Sequence, residues 1–175
     1  RWGTVRRRIP FAPSMVWRLA RTGDIWFART DAYQIFRRTL NGEAIRVISR
    51  KAVSLKVTAA DMVDAMASME RFRSVGGRVD ERKIPDVKPQ LRTLFIDDDG
   101  GRVWVMPTTS AAQSGRVLDV FDTAGRSLAR ATLPFALSPA PEPVFRGGMM
   151  YGVIRDEFDV PYVVRGRIVT RPSNR

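Results

Sequence analysis

Gly101-Arg102-Val103-Trp104 decides the fold, because the phrase returns. Gly23-Asp24-Ile25-Trp26 and Gly148-Met149-Met150-Tyr151 repeat its order: a turn glycine, then an aromatic three residues on, in a short apolar segment. The chain also changes direction three times at a branched or leucine residue followed by proline: Ile9-Pro10-Phe11-Ala12, Ile84-Pro85 and Leu133-Pro134-Phe135-Ala136. A phrase that recurs at intervals of tens of residues marks a repeat architecture, and here the unit is a small β-sheet.

The spacing gives the size of the unit. Pro85 and Pro134 lie 49 residues apart, about one four-stranded propeller blade. Pro10 and Pro85 lie 75 residues apart, and the excess is mostly a segment with a different period. A β-sandwich also has many short strands with regular turns, but it does not require the same phrase three times. The expected fold class is therefore all-β: a partial β-propeller of antiparallel four-stranded blades with one helical insertion. The expected single domain spans 1–175, with about two full blades, a partial one, and the insert at about 58–75.

Strands are expected at Gly3–Ile9, Met15–Ala20, Asp24–Arg29, Tyr33–Arg38 and Ala44–Ser49. Arg21-Thr22-Gly23 and Asn41-Gly42 are the hairpin turns, since glycine and asparagine tolerate positive φ. Strands resume at Leu91–Asp97, Arg102–Met106, Val117–Asp122 and Ser127–Leu133. The last unit, Pro143–Arg146, Met150–Arg155 and Tyr162–Val169, lacks a fourth strand. Between the first two units, Met62, Ala65, Met66, Met69 and Phe72 fall at helical spacing, which predicts one helix over Ala59–Ser74. Thr58 and Asp61 have the spacing of a capping box, and Gly76-Gly77 closes the helix. The methionine stripe fits core packing better than a partner groove.

Composition removes much chemistry. There are no cysteines and no histidines. Disulfides, thiol nucleophiles, cysteine–histidine zinc sites and histidine general bases are thereby excluded. No apolar run approaches the roughly 18–20 residues of a membrane helix. No signal peptide is visible, and the chain starts at Arg1, not Met. The net charge is +12, and the only lysines are Lys51, Lys56, Lys83 and Lys88. Such a balance can attract a polyanion. The arginines are dispersed, however, and the densest cluster is Arg6-Arg7-Arg8. Dispersed charge predicts weak, sequence-independent binding to nucleic acid.

The candidate chemical groups read as structure. Asp97, Asp98 and Asp99 could bind a hard cation, but a hairpin turn with Gly100 or Gly101 at positive φ explains them, and no EF-hand glutamate follows. Asp156, Glu157 and Asp159 read as a solvated turn before Val160-Pro161. Trp26, Trp104 and Tyr151 hold equivalent places. A residue repeated once per sheet is expected to be buried between sheets. No catalytic, cofactor-binding or metal-binding residue is assigned.

These residues resemble a known family. Asp97-Asp98-Asp99-Gly100-Gly101-Arg102-Val103-Trp104-Val105 resembles the strand–turn–strand of NHL-like six-bladed β-propellers. Asp119-Val120-Phe121-Asp122-Thr123-Ala124-Gly125-Arg126 is similar to the hairpin that follows it there. Tyr151–Arg165 resembles the last blade of uncharacterised bacterial six-bladed propellers. The resemblance is clear over Ile84–Ile168 and weaker over Gly3–Leu55. It implies a ring of six blades, an extracytoplasmic (periplasmic or secreted) location, and a chain that is the C-terminal part of a longer protein or a half ring completed by association.

The function expected is a non-enzymatic propeller-type binding or scaffold module whose partner is a protein or small ligand. One alternative is a basic polyanion-binding surface. Another is a propeller hydrolase or lactonase with calcium, although its candidate inner strands are poor in acidic and amide residues. Exposed strand edges predict self-association, with two copies closing a ring.

Overall fold

A computed structural model describes residues 7–97, 101–138 and 140–169. It contains three antiparallel sheets in sequence order. Sheet 1 is the meander β1 (Met15–Leu19), β2 (Ile25–Arg29), β3 (Gln34–Arg38) and β4 (Ala44–Ser49). Sheet 2 is the meander β5 (Leu91–Ile96), β6 (Arg102–Pro107), β7 (Val117–Asp122) and β8 (Ser127–Thr132). Sheet 3 has β9 (Val144–Arg146), β10 (Met149–Arg155) and β11 (Pro161–Arg167), with no fourth strand among the described residues. Of the first expected strand, Gly3–Arg6 lies outside the described residues, and residues 7–9 carry no strand.

The hairpin turns follow from their residues. Gly23 and Gly42 both sit at positive φ, +87° and +82°. Their N–H groups close the turns onto the carbonyls of Ala20 and Thr39. A side chain in that region of φ is strained, so the chain reverses where glycine allows it.

The sheets stack face to face, and alternation along each strand decides which residues meet. One face of sheet 1 carries Trp26, Ala28, Ile35 and Ile48, which pack on Leu91, Leu94, Val103 and Val105 of sheet 2. The opposite face of sheet 2 carries Phe95, Trp104, Met106, Leu118 and Val120, which pack on Phe145 and Met150 of sheet 3. Each large apolar side chain so buried contributes roughly 1.5–3 kcal/mol relative to exposure. The first strands of sheets 1 and 2, β1 and β5, lie beside each other. Successive meanders packed face to face, with first strands converging, are the build of neighbouring propeller blades.

The insertion between sheets 1 and 2 differs from the expected single helix. Helix α1 spans Ala59–Ser68 and α2 spans Glu70–Ser74. The Thr58–Asp61 capping box is present in full. At the break, the Ser68 hydroxyl donates to the Ala65 carbonyl at 2.6 Å. The Met69 N–H, which in an unbroken helix would also donate to that carbonyl, donates to Met66 instead. Gly76 and Gly77 close α2 as expected, donating to the carbonyls of Arg73 and Phe72. The apolar stripe buries Ala65 and Met69 but joins neither inter-sheet core. At the foot of the insertion, Lys56 and Val87 form an antiparallel bridge. Val57 N–H donates to Asp86, and Lys88 N–H donates to Leu55.

Candidate binding surfaces

The three repeated aromatics do occupy one position. Trp26 on β2, Trp104 on β6 and Tyr151 on β10 each lie on the second strand of a sheet, facing forward along the chain. Trp26 is 2 % exposed under sheet 2, and Trp104 is 3 % exposed under sheet 3. Trp104 stacks on Phe145, centroids 4.5 Å apart. Tyr151, expected to be buried, is 40 % exposed. Its position is equivalent, but no described residue forms a sheet in front of it. Among the described residues, nothing covers the forward face of sheet 3.

That face is basic. Cross-strand register puts Met149 between Arg146 and Arg167, and Tyr151 between Val144 and Arg165. The three arginines make no ion pair among the described residues. Arg155, further along, pairs with Asp159 at 3.2 Å.

The backward face of sheet 1 is apolar across β1 to β3 and carries the exposed Arg46 on β4, opposite Phe36. Met15, Trp17 and Leu19 on β1 stand opposite Arg29, Phe27 and Ile25 on β2. Phe27 in turn stands opposite Phe36 on β3 and stacks on it, centroids 5.4 Å apart. Met15, Trp17, Leu19 and Ile25 are exposed. Arg29 pairs with Asp31 at 2.8 Å at one end of this face, and Arg38 stands at the other.

Between the sheets, arginines are compensated. Asp119 on β7 is 2 % exposed. It accepts the Tyr33 hydroxyl at 2.8 Å and the Arg130 Nε at 2.7 Å, and lies 3.0 Å from an Arg50 nitrogen. Burial opposes its charge, yet hydrogen bonds from Arg130 and Tyr33 and the charges of Arg130 and Arg50 hold its carboxyl below the usual range. The same carboxylate, added to burial, pushes the Tyr33 hydroxyl up. Its hydrogen bond also raises the Arg130 guanidinium. Asp24 takes Arg37 at 2.6 Å, and that guanidinium lies 5.8 Å from the Trp26 ring.

Arg18 on β1 is a node for all three sheets. It donates to the Thr93 hydroxyl of β5 at 3.0 Å and lies 5.6 Å over the Phe95 ring. Its Nε is 2.9 Å from Glu142, just before β9, in an ion pair without hydrogen-bond alignment.

Of the acidic candidates, the one at Asp156 is a turn. Asp156 Oδ1 accepts the N–H groups of Val160 and Phe158, both at 2.9 Å, and these bonds hold its carboxyl low. Asp97 is buried, and Asp98, Asp99 and Gly100 lie outside the described residues. No group of three or more acidic residues is disposed to hold a metal ion among the described residues. Of the arginine cluster, Arg6 lies outside the described residues, and Arg7 and Arg8 are exposed. No described helix is long and apolar enough to cross a membrane.

Two concavities accompany these surfaces. A wedge of about 870 Å³ opens between β8 and β11, where Ala129 and Ala131 face Gly166 over a floor of Trp104 and Phe145. A cleft of about 500 Å³ lies beside the insertion, lined by Asp61, Lys88, Arg92 and Thr108 among others. Lys88 and Asp61 pair there at 2.6 Å. That hydrogen bond, with two from Thr58, lowers the Asp61 carboxyl to about 2.

Sequence reasoning missed Asp119, Arg18 and Trp17. Only Asp119 carried a signal: a lone charge in the apolar run Val117-Leu118-Asp119-Val120-Phe121.

No family model matches the chain, and no curated protein matches it. Among solved structures, two of virginiamycin B lyase from Staphylococcus aureus are similar, each at 14% identity over 86% of this chain. One, a catalytically inactive variant with quinupristin, has a TM-score of 0.35; the other, selenomethionine-substituted, has 0.37. This chain spans 33% and 40% of theirs. A likeness at this level carries no functional argument.

Proposed function

We propose that the chain is a non-enzymatic propeller-type binding or scaffold module that works through the two sheet faces that no described residue covers. One observation carries this reading: the position that buries Trp26 and Trp104 leaves Tyr151 open. A face built to be covered, with an apolar face at the opposite end of the stack, presents contact surface of the kind that marks interaction sites. In this reading residues 1–175 act as one partial-propeller domain. The order and spacing of the Gly101–Val105 and Asp119–Arg126 motifs support a place among bacterial, extracytoplasmic, NHL-like six-bladed propellers.

The test is site-specific photocrosslinking in the producing cell. A photoreactive phenylalanine analogue replaces Trp17, Tyr151 or, as a control, the exposed Leu128 on β8. Adducts concentrated at Trp17 or Tyr151 are expected. Equal yields at all three positions, or none, would overturn the reading.

A second reading is favoured by Arg146, Arg165 and Arg167 around Tyr151. Guanidinium groups beside an exposed aromatic suit a polyanion, through phosphate or sulfate contacts and stacking. Binding to a single-stranded oligonucleotide and to a sulfated polysaccharide should be sequence-independent and fall steeply with salt. If Arg165→Ala with Arg167→Ala leaves that affinity unchanged, the reading fails.

A further inference from the structure

We infer that the outer edge of sheet 3 takes an extended segment of another protein as a fourth strand, antiparallel to β11. Its apolar side chains turn into the wedge between β8 and β11, and its acidic ones stand beside Arg165 and Arg167. The inference rests on the binding-module reading and adds to it the chemistry of one partner.

The edge is open in its backbone. The Ile168 N–H donates to Gly148 at one end of the β10–β11 ladder, and the Asp156 N–H donates to Val160 at the other. Antiparallel bonding alternates along a strand, so the even positions of β11 face β10. The N–H and C=O groups of Val163, Arg165 and Arg167 face the other way. Among the described residues β11 ends its sheet, and no further strand meets them. Such a row is a template for another chain. The space beside it has the matching gap. Between sheets 1 and 2 the fourth strand β4 closes the outer contact, where Gly125 of the β7–β8 turn lies against the Val47 carbonyl. Sheet 3 has no such strand among the described residues, and the wedge of about 870 Å³ lies in that place, between Ala129, Ala131 and Gly166 over Trp104 and Phe145. A strand added to β11 points every second side chain into it.

Alternation sets the rest of the partner. Its other face stands in the row of Arg165 and Arg167, which are exposed and make no ion pair among the described residues. Arg102, which lines the wedge, makes none either. The carboxylate across from Arg102, that of Asp122, already holds Arg126 at 2.6 Å. Glu157 and Asp159 lie at the far end of β11, before Pro161. Opposite charges across a strand pair stabilise it, so carboxylates belong opposite Arg165 and Arg167. The same rule argues against a second copy. The outer strands β4, β8 and β11, and the stretch Gly3–Ile9, all hold arginine and no carboxylate. Any of them on this edge sets like charges side by side. A segment that alternates apolar and acidic residues meets every requirement. This is recognition by strand addition, in which main-chain bonds give affinity and alternate side chains give specificity.

Fluorescence anisotropy on the purified chain tests this, with capped, labelled peptides long enough to span β11. A peptide of alternating valine and glutamate should bind. Valine with lysine, and serine with glutamate, should bind at least tenfold more weakly. The peptide backbone gives the sharper result. In an antiparallel pair the residues opposite Arg165 and Arg167 turn their N–H groups to β11, and the valines turn theirs away. N-methylation at the glutamates should therefore abolish binding, whereas N-methylation at the valines should leave it nearly unchanged. Arg165→Glu combined with Arg167→Glu should keep the circular-dichroism spectrum, because both side chains are exposed, and should switch the preference to the lysine peptide. No binding by the glutamate peptide, or equal binding by its two methylated forms, would overturn the inference. So would a chain that sediments as a dimer and binds the peptide only on dissociating, which would put a second copy on the edge. Photocrosslinks at Trp17 or Tyr151 in the cell would still stand if the edge took no peptide, so the two readings fail separately.

Discussion

The Tyr33 hydroxyl donates to the Asp119 carboxylate at 2.8 Å, joining sheet 1 to sheet 2 between residues 86 positions apart. Around this bond the half-exposed guanidinium groups of Arg130 and Arg50 meet the buried carboxylate from the side open to solvent.

Asp119→Asn should destabilise the chain by roughly 1.5–3 kcal/mol, because it takes the charged acceptor from the Tyr33 hydroxyl and from two half-exposed arginines that water can still solvate. Tyr33→Phe removes one hydrogen bond to a carboxylate that keeps its arginines, and should cost roughly 1.5–3 kcal/mol. Urea unfolding followed by tryptophan fluorescence measures both.

The same cluster sets a pH window. Asp119 is held low in the folded chain, so its contribution is present above the unfolded carboxylate value of about 3.9 and is lost as pH falls through the folded value. Tyr33 is shifted upward, so its contribution is present below about pH 10 and is lost as pH rises beyond it. Urea midpoints should therefore decline at both extremes. Asp119→Asn should flatten the acid limb, and Tyr33→Phe the alkaline one; parallel profiles for all three proteins would contradict the assignment.

The aromatic positions should separate sharply. Trp104→Ala opens a cavity against Phe145 and should cost about 3–5 kcal/mol. Tyr151→Ala, at the equivalent but uncovered position, should stay within about 1 kcal/mol of the parent. Thermal melts compare them directly.

Gly125 lies in the β7–β8 turn at φ +85°, and a Cβ there would run into the carbonyl of Val47 on β4. Gly125→Ala should therefore destabilise by more than about 1 kcal/mol, since strain and close sheet approach act together. Gly76→Ala is the matched control. It also has positive φ, but its Cβ would meet nothing, so it should lose only the conformational part.

Much of the fold was legible in sequence because it is local. The turn glycines and alternating strands reappear with ends shifted by a residue or two, and Thr58 caps its helix as its spacing predicts. The exposure of Tyr151 was not legible, because alternation tells which face a side chain takes and not whether anything stands in front of it. Asp119 showed as a charge in an apolar strand, but its partners come from β8, the turn before β3 and the end of β4. The helix break at Met69 is a change of one backbone hydrogen-bond partner, which periodicity does not record.

The bridge between Lys56 and Val87 has a consequence for how this chain can be altered. The backbone leaves sheet 1 and comes back to the same point before entering sheet 2, so the span between is a detachable loop in the topological sense. Its length is decoupled from the register of the strands on either side. A short turn in place of residues 58–85 would keep both sheets in position, and a foreign domain grafted there would ride on the stack without prising it apart. Loop-closure entropy grows only slowly with length, so either change should be tolerated.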